Sequence, residues 1–514
     1  MLQCISHVRP LPLTTAGTLL MLFMLGCTMR EPVPAKAPAT GPIQVEIAPS
    51  SRSPLPAAHW EDTAQRLTAA LAQHGYIVQT GLVRFFQPED CLAMETCVGN
   101  NPSSPYGMYC LPPAPGDTVA RHAEPPCPPE SNLRWVWRLR PDEALVFLGK
   151  TPPTARYFSF RSYLFSRQGW FWRRPLFASL GDALNLEIIA TAGTPSGAPG
   201  DSFARETVVI TTADRRLDAR LRELLSSSGA PEAIINTDII PPALTRLGLQ
   251  EKSDDFAMLF RVALFADAVA GQRYIQEPPA TILRVTPPTP ITIDPFPALP
   301  LRPRGTHTSE AWLGPALDEL IAAVKARYLS LAVRNRRTIT FELSGRQCIA
   351  RSLPCLGDNP DTVYNSSIPT WLSDNPQDFL IVIGVHHHET GKARYVNLAA
   401  YHTKRLMGVG AVTGSEATDS ADLYLPHHPL RRYLYAYKFA RDCQGEPFCF
   451  SVSTGQLGVP LDDALNIIER PYLESVTATG PLASQLVKPQ VLHFCPSFTI
   501  FGYCDPDQIA SWVP

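Results

Sequence analysis

Histidines form the densest group of side chains in the chain that could bind a metal or transfer a proton. His386, His387, His388 and Glu389 are consecutive, and His402 follows a short distance later. Because alternate residues of an extended strand share a face, we expect His386 and His388 to point the same way. Together with His402 they would suit Zn²⁺ or Cu²⁺ and would leave one coordination position open for a substrate. The alternative is a solvated polar turn, since the sequence has no HExxH spacing.

A second group combines tryptophan with arginine. Trp170 and Trp172 alternate across Phe171, with arginines at 167, 173 and 174. Two indoles on one face beside guanidinium groups would suit contact with a glycan, a peptide or a lipid head group. The alternative is a strand that buries both indoles in the core.

An Arg-Tyr pair occurs twice, as Arg156-Tyr157 and as Arg394-Tyr395. Each pair stands at the predicted start of a strand, where it could hold a carboxylate or a sugar. The alternative, which we favour, is that the arginines fix loops by donating hydrogen bonds to main-chain carbonyls. Catalytic residues cannot be assigned, because no GxSxG elbow and no GxxxxGK[ST] or GxGxxG phosphate loop is present.

Both Arg-Tyr pairs belong to an internal duplication. The segment CLAMETCVGNNPSSPY (91–106) resembles CIARSLPCLGDNPDTVY (348–364). The apolar runs EALVFLG (143–149) and DFLIVIG (378–384) then precede the two Ala-Arg-Tyr triplets, and DALN recurs at 182–185 and 463–466. An amphipathic helix is predicted ahead of each copy, at 58–76 and 310–329, with Trp312 on the apolar face of the second. Matches in the same order indicate two related domains.

The elements of each copy read as a helix, a strand, a cysteine-containing loop and paired strands. Between the copies, TVVITTAD (207–214), the helix at 215–229 and EAIINTDII (232–240) form a strand–helix–strand pattern. The predicted fold class is therefore α+β, with two related, mainly antiparallel β domains that have one packing helix each, plus a βαβ-like insertion.

The twelve cysteines indicate an oxidising compartment. Apart from Cys4 and Cys27 they fall into close neighbour pairs, which predicts five local disulfides, and zinc binding is disfavoured because no CxxC occurs. The predicted pairs are Cys91 with Cys97, Cys110 with Cys127, Cys348 with Cys355, Cys443 with Cys449 and Cys495 with Cys504.

The N-terminus has the pattern of an export signal. Arg9 precedes an apolar run that ends in Met24-Leu25-Gly26-Cys27. This ending resembles the lipobox of bacterial lipoproteins, which implies cleavage before Cys27 by a type II signal peptidase and acylation of Cys27, with palmitate among the acyl chains. Thr28 rather than Asp follows, as in lipoproteins sent on to the outer membrane. An ordinary cleaved signal or an uncleaved anchor is the alternative.

Composition and proline distribution predict the domain layout. The chain is 45% hydrophobic and has 52 prolines and a net charge of −2, so it is globular, rich in loops and unsuited to nucleic acid. Prolines concentrate in a tether and in an interdomain linker. The predicted segments are a signal peptide (1–26), the tether (27–57), repeat domain 1 (58–200), the insertion (201–286), the linker (287–305), repeat domain 2 (306–475) and a C-terminal disulfide-containing tail (476–514).

The body of the chain resembles no family of known activity by its motifs. Our first hypothesis is a lipid-anchored cell-envelope module, anchored in the outer membrane and facing the periplasm or the surface, that contacts a glycan, a peptide or a protein through loops of the repeats. It would need no cofactor. The rival is a periplasmic hydrolase or a zinc or copper enzyme that uses the turn from His386 to Glu389.

Overall fold

The computed structural model describes residues 59–118, 127–128, 131–192, 202–342 and 344–496. The predicted signal peptide, Cys27, the tether and Cys504 lie outside these residues. Residues 57–514 group into one compact unit. In the described part of the chain no helix is both long and apolar enough to span a bilayer.

The first copy forms one sheet of ten strands. Alternating and continuous apolar runs with few prolines favour these strands. They are β1 (Ile77–Phe85), β2 (Tyr106–Cys110), β3 (Ala144–Lys150), β4 (Ala155–Gln168), β5 (Arg173–Ser179), β6 (Leu184–Asn185), β7 (Glu206–Thr212), β8 (Ile235–Ile239), β9 (Asp255–Phe265) and β10 (Ala280–Thr286). Their spatial order is β5-β4-β9-β2-β1-β10-β3-β7-β8, with β6 beside β4. Only the β7–β8 pair in this sheet is parallel.

The second copy repeats this order in two sheets of five strands. Its strands are β11 (Leu331–Arg336), β12 (Thr338–Phe341), β13 (Tyr364–Ser367), β14 (Phe379–Val385), β15 (Tyr395–His402), β16 (Met407–Thr413), β17 (Leu434–Ala440), β18 (Cys449–Ser451), β19 (Leu465–Tyr472) and β20 (Gln490–Pro496). The orders β16-β15-β19-β13-β12 and β11-β20-β14-β17-β18 match the two halves of the first sheet. Strand β1 serves both halves of its sheet, whereas its counterpart is divided into β11 and β12.

Six α-helices flank the sheets in the described part of the chain. They are α1 (His59–Gln73), α2 (Pro88–Ala93), α3 (Arg215–Ser227), α4 (Ala268–Gln276), α5 (Gly314–Arg327) and α6 (Gly345–Arg351). Apolar stripes on α1 and α3 pack on the outer face of the first sheet, and α5 packs in the same way on β14 and β20. Between the halves of each copy lies a second core, filled by aromatic side chains in copy one.

The α+β class with two related, mainly antiparallel β domains is confirmed. The βαβ unit is also present, because α3 connects the parallel strands β7 and β8. Strands β17 and β18 are parallel as well, and β9 and β10 correspond to β19 and β20. The predicted boundary at residue 200 therefore falls inside one continuous sheet. Strands β7 and β8 of the βαβ unit correspond to β17 and β18, but no helix in copy two corresponds to α3 in the described part of the chain.

The DALN match, in contrast, does not mark equivalent positions. Leu184 and Asn185 form β6 at the edge beside β4, whereas Leu465 and Asn466 lie in β19. The topological counterpart of β19 is β9. Pairing of β4 with β9 and of β15 with β19 shows that Arg261 and Arg470 are equivalent, although their surrounding sequences show little similarity.

Four of the predicted disulfides are present: Cys91–Cys97, Cys110–Cys127, Cys348–Cys355 and Cys443–Cys449. The fifth predicted pair cannot be placed because Cys504 lies outside the described residues. Disulfides of this number indicate an extracytoplasmic protein.

Each cysteine loop docks on the other copy. Main-chain N–H groups of Cys97 and Gly99 donate to the carbonyls of Arg405 and Leu406, 3.0 and 2.8 Å away. The same two positions of the second loop, Cys355 and Gly357, donate to the carbonyls of Leu176 and Phe177 at 2.7 and 2.8 Å. The exchange is reciprocal, so the two copies share one hydrogen-bonded junction.

Two asparagines hold this junction through tyrosines of the opposite copy. The Asn101 side-chain amide donates to the Tyr395 hydroxyl at 2.8 Å, and the Asn359 amide donates to the Tyr157 hydroxyl at 3.0 Å. All four side chains are buried. Each amide therefore satisfies a hydroxyl that water cannot reach.

We expect Asn101→Ala and Asn359→Ala each to lower the free energy of unfolding by about 1–3 kcal/mol, because each leaves a buried tyrosine hydroxyl without its donor. Urea denaturation followed by circular dichroism measures the change. Asn335→Ala, at an exposed position on β11, is the matched control and should change stability by less than about 0.5 kcal/mol. Equal stability of all three variants would contradict the proposed role of the junction.

Candidate ligand-binding site

A surface pocket of about 200 Å³ lies in the second copy. Three segments form it: the stretch before α5, the turn after β14 and the turn before β17. The lining residues are Thr308, Ser309, Glu310, Trp312, Glu389, Thr390, Lys392 and Tyr433. Hydroxyl, carboxylate, ammonium and aromatic groups therefore line one small pocket.

Two aromatic rings form one wall of the pocket. Trp312 is 52% exposed, and its ring meets the Tyr433 ring edge to face with centroids 5.3 Å apart. Trp312 belongs to a short 3₁₀ helix, Ala311–Leu313, that precedes α5. The prediction that Trp312 lies on the apolar face of the helix is wrong. Trp312 belongs to the 3₁₀ helix, which has three residues per turn instead of 3.6, so its side chain does not continue the apolar stripe of α5.

Behind the pocket a buried histidine lies between two carboxylates. The His387 Nδ1 atom is 2.8 and 2.9 Å from the two carboxylate oxygens of Glu310, and its Nε2 atom is 3.4 Å from Glu469 Oε1. Tyr435 and Asn365 donate to the Glu469 carboxylate at 2.7 and 2.9 Å. His387 is completely buried: Nδ1 is hydrogen-bonded to Glu310, whereas Nε2 faces Glu469 at ion-pair distance and has no hydrogen-bond partner in the described part of the chain.

The charges of the cluster stabilise one another. Burial alone would lower the pKa of His387, but Glu310 and Glu469 outweigh it and raise that pKa to about 10. Burial likewise acts to raise the pKa of Glu310, yet His387 and the hydrogen bonds from Thr390 and Val487 hold it below its usual value. At neutral pH the cluster therefore contains the imidazolium of His387 and the ionised carboxylate of Glu310.

A second buried ion pair lies beside the first. Lys392 Nζ donates to Glu474 Oε1 at 2.9 Å, to Thr306 Oγ1 at 2.8 Å and to Gln485 Oε1 at 2.7 Å. The other Glu474 oxygen is buried and has no hydrogen-bond partner in the described part of the chain. Glu310, Glu389, Glu469 and Glu474 outnumber the cations His387, Lys392 and Arg432, the last of which lies 4.5 Å from the centre of the Tyr433 ring, so the formal charge of the region is net negative.

The predicted metal site is not formed. His386 and His388 lie in a turn, where Glu389 N donates to the His386 carbonyl at 2.9 Å, and their rings meet edge to face with centroids 5.1 Å apart. His402 ends β15 and binds Asp463 at 3.0 Å. Within the described ranges, no three His, Cys, Asp or Glu side chains are arranged to hold a metal ion.

His386 and His402 are both buried, and their environments lower the pKa of each ring. Burial, together with the charges of His388 and His387, lowers the pKa of His386 to about 3. The pKa of His402 is also lowered by its burial, which Asp463 only partly offsets. Both rings are therefore neutral parts of the packed interior at physiological pH.

The duplicated Arg-Tyr pairs hold the copies together, which corrects their predicted role in ligand binding. Tyr157 and Tyr395 are buried, and their hydroxyls are engaged in the junction. Arg394 Nε donates to the Arg156 carbonyl at 3.0 Å, and its Nη1 atom donates to Glu187 at 2.7 Å. Arg394 therefore follows the structural alternative, whereas exposed Arg156 takes part through its main-chain carbonyl.

Trp170 and Trp172 are exposed rather than buried. They lie at the tip of the hairpin between β4 and β5, with 95% and 61% of their surfaces exposed. The alternative in which a strand buries both indoles is therefore wrong. Sequence reasoning missed Glu310 and Lys392, and it noted His387 within the histidine run without giving it a role of its own.

Comparisons with known proteins identify no family for this chain. No family model matches it, and no curated protein matches its sequence. Among solved structures, an uncharacterised protein from Burkholderia cenocepacia has 13% identity and a TM-score of 0.33, covering 85% of this chain and 86% of that one. The VPA0106 protein from Vibrio parahaemolyticus has 9% identity and a TM-score of 0.36, covering 85% and 96%.

The histidine cluster predicts a specific alkaline instability. The folded-state pKa of His387, about 10, exceeds the ordinary 6.5, so its stabilisation is complete below pH 6.5 and is lost as the pH rises through about 10. We expect His387→Gln to lower the free energy of unfolding at pH 7 by about 3–5 kcal/mol, because buried carboxylates lose their cation. The difference from the unchanged protein should shrink as the pH approaches and passes 10.

Urea denaturation at a series of pH values measures this difference. His427→Gln, at an exposed position, is the control and should parallel the unchanged protein throughout. A constant difference between His387→Gln and the unchanged protein from pH 7 to above 10 would show that His387 is not charged in the fold.

Proposed function

We propose that this protein is a lipid-anchored cell-envelope module that binds a glycan through the pocket of its second repeat. The observation that carries the proposal is the combination of the Trp312–Tyr433 pair with hydroxyls and carboxylates that line the same pocket. Aromatic faces pack on the C–H faces of sugar rings, and oxygen acceptors bind sugar hydroxyls. The negative charge of the region favours a sugar that carries an amine.

The arrangement supports binding better than hydrolysis. Glycoside hydrolysis needs a carboxylic acid whose pKa is raised so that it can protonate the leaving group. The Glu310 pKa is lowered, and both of its oxygens accept hydrogen bonds from His387, Thr390 or Val487. Glu389 is exposed, and its carboxylate is 3.3 Å from His388 Nε2. Neither carboxylate has the environment of a general acid.

The repeats also explain why only copy two has this cluster. The residue equivalent to Glu469 is Phe260, as the pairing of β4 with β9 and of β15 with β19 shows. The Phe260 ring stacks on the Phe160 ring with centroids 4.2 Å apart. At this position copy one therefore has packed aromatic rings, whereas copy two has the buried carboxylate of Glu469.

Lipid anchoring rests on the resemblance of Met24-Leu25-Gly26-Cys27 to a lipobox, and the disulfides support export. We expect the protein, expressed in a bacterium with labelled palmitate, to incorporate the label, and Cys27→Ser to abolish it. Cys4→Ser is the matched control, because that residue would be removed with the signal peptide. Absence of label in the unchanged protein would refute the lipobox interpretation.

Titration calorimetry with glucosamine, N-acetylglucosamine and glucose tests the pocket. We expect saturable binding, strongest for glucosamine, and at least a tenfold loss of affinity in Trp312→Ala, equivalent to about 1.4 kcal/mol. Trp371→Ala is the matched control, since Trp371 is also partly exposed but lies outside the pocket. Absence of saturable binding of all three sugars, or equal binding by both variants, would rule out this site. Release of a cleaved product from a glycan would favour the hydrolase instead.

A further inference from the structure

The hairpin between β4 and β5 carries three consecutive exposed aromatic side chains. Trp170 is 95% exposed, Phe171 83% and Trp172 61%. We call these three residues the aromatic tip. The tip closes on itself through a hydrogen bond from Gly169 N to the Trp172 carbonyl at 3.0 Å. Large apolar side chains that stay in water at a protruding turn mark a surface that meets another phase or partner.

Salt bridges hold the base of the hairpin rigidly. Arg167 donates to both oxygens of Asp254, at 2.8 and 2.7 Å, and Arg173 lies 2.7 Å from Asp255. Both aspartates are buried. The aromatic tip is therefore held away from the body of the protein by a braced pair of strands.

Two further arginines near the tip remain available to a ligand. The Arg174 guanidinium lies 5.6 Å above the Trp172 ring, and Arg246 Nη1 donates to the Gln168 carbonyl at 3.0 Å. Both arginines are exposed. In the described part of the chain neither forms an ion pair with a carboxylate, unlike Arg167 and Arg173. The tip thus combines apolar rings with uncompensated positive charge.

We propose that the aromatic tip inserts into the interfacial region of an anionic phospholipid bilayer. Tryptophan is enriched at membrane–water interfaces because its ring is apolar and its N–H group can remain hydrated. Arg174 and Arg246 would meet lipid phosphates, to which exposed guanidinium groups are complementary. This surface is distinct from the sugar pocket and needs neither that pocket nor an acyl chain on Cys27.

A protein partner explains the tip less well. Three aromatic side chains bury about 150–250 Å² each, so together they supply at most about 750 Å². A standard interface needs about 800 Å² on each side with complementary surroundings. A convex tip of three side chains falls short of this even when it is fully covered, whereas a fluid bilayer closes around a protrusion of any shape.

Flotation with lipid vesicles tests the proposal. The chain from Ala57 to Pro514 is used, because it forms one compact unit and lacks Cys27. We expect it to float with vesicles of phosphatidylethanolamine and phosphatidylglycerol, and replacement of Trp170, Phe171 and Trp172 by Ser to reduce the bound fraction at least tenfold. Arg174→Ala with Arg246→Ala should weaken binding several-fold, and high salt should act in the same direction on the unchanged chain.

Two further variants keep the test specific. Leu329→Ser with Val476→Ser removes two side chains that are each 84% exposed elsewhere, and it should leave flotation unchanged. Trp170→Phe with Trp172→Phe should retain most of the binding. The aromatic tip has no buried partner to lose, so the serine variant should keep the circular dichroism and the melting temperature of the parent.

Three outcomes would overturn the proposal. The first is absence of flotation of the unchanged chain, and the second is equal flotation of the serine variant. The third is equal binding to phosphatidylcholine vesicles, which would remove the role of the anionic lipid. Sedimentation that shows tip-dependent dimers without flotation would assign the tip to contacts between copies of the chain.

Discussion

Two buried arginines, one from each repeat, anchor the junction on which the rest of the structure depends. Arg261 lies 5.2 Å above the rings of both Tyr106 and Tyr163 and donates to the Gly357 carbonyl of the opposite cysteine loop. Arg470 has the same relation to two tyrosines of its own copy and donates to the Gly99 carbonyl. Neither forms an ion pair in the described chain, so cation–π contacts and loop carbonyls offset part of the cost of burying each charge, while Arg261 Nη1 and Arg470 Nε have no hydrogen-bond partner among the described residues.

This constraint connects the junction with the candidate site. Strand β19 presents Arg470 to the junction and, one residue earlier, Glu469 to His387. Because adjacent residues of a strand point to opposite faces, one strand can serve both surfaces. A shift of β19 by one residue would exchange the two charges and disrupt both clusters. The position of the pocket is therefore tied to the packing of the two copies against each other.

Much of the fold could be predicted because its signals are local. The strand predicted at DFLIVIG is β14, and the strand–helix–strand pattern after residue 206 is the βαβ unit. The pairs of neighbouring cysteines also followed from spacing alone. The equivalence of Arg261 and Arg470 could not be predicted, because the residues around them differ. It becomes visible only from the pairing of β9 with β4 and of β19 with β15. The DALN match wrongly suggested equivalent positions, because the same four residues lie in or beside strands with different places in their sheets.

The sequence by itself determined the α+β class, the duplication and four local disulfides, because hydrophobic period and cysteine spacing act over a few residues. Only the tertiary structure decided which polar residues meet. It placed His387 rather than its neighbours between Glu310 and Glu469, and it left Trp170 in solvent. Both the partners of a polar side chain and its burial depend on which distant segments pack together, so neither outcome is encoded in local spacing.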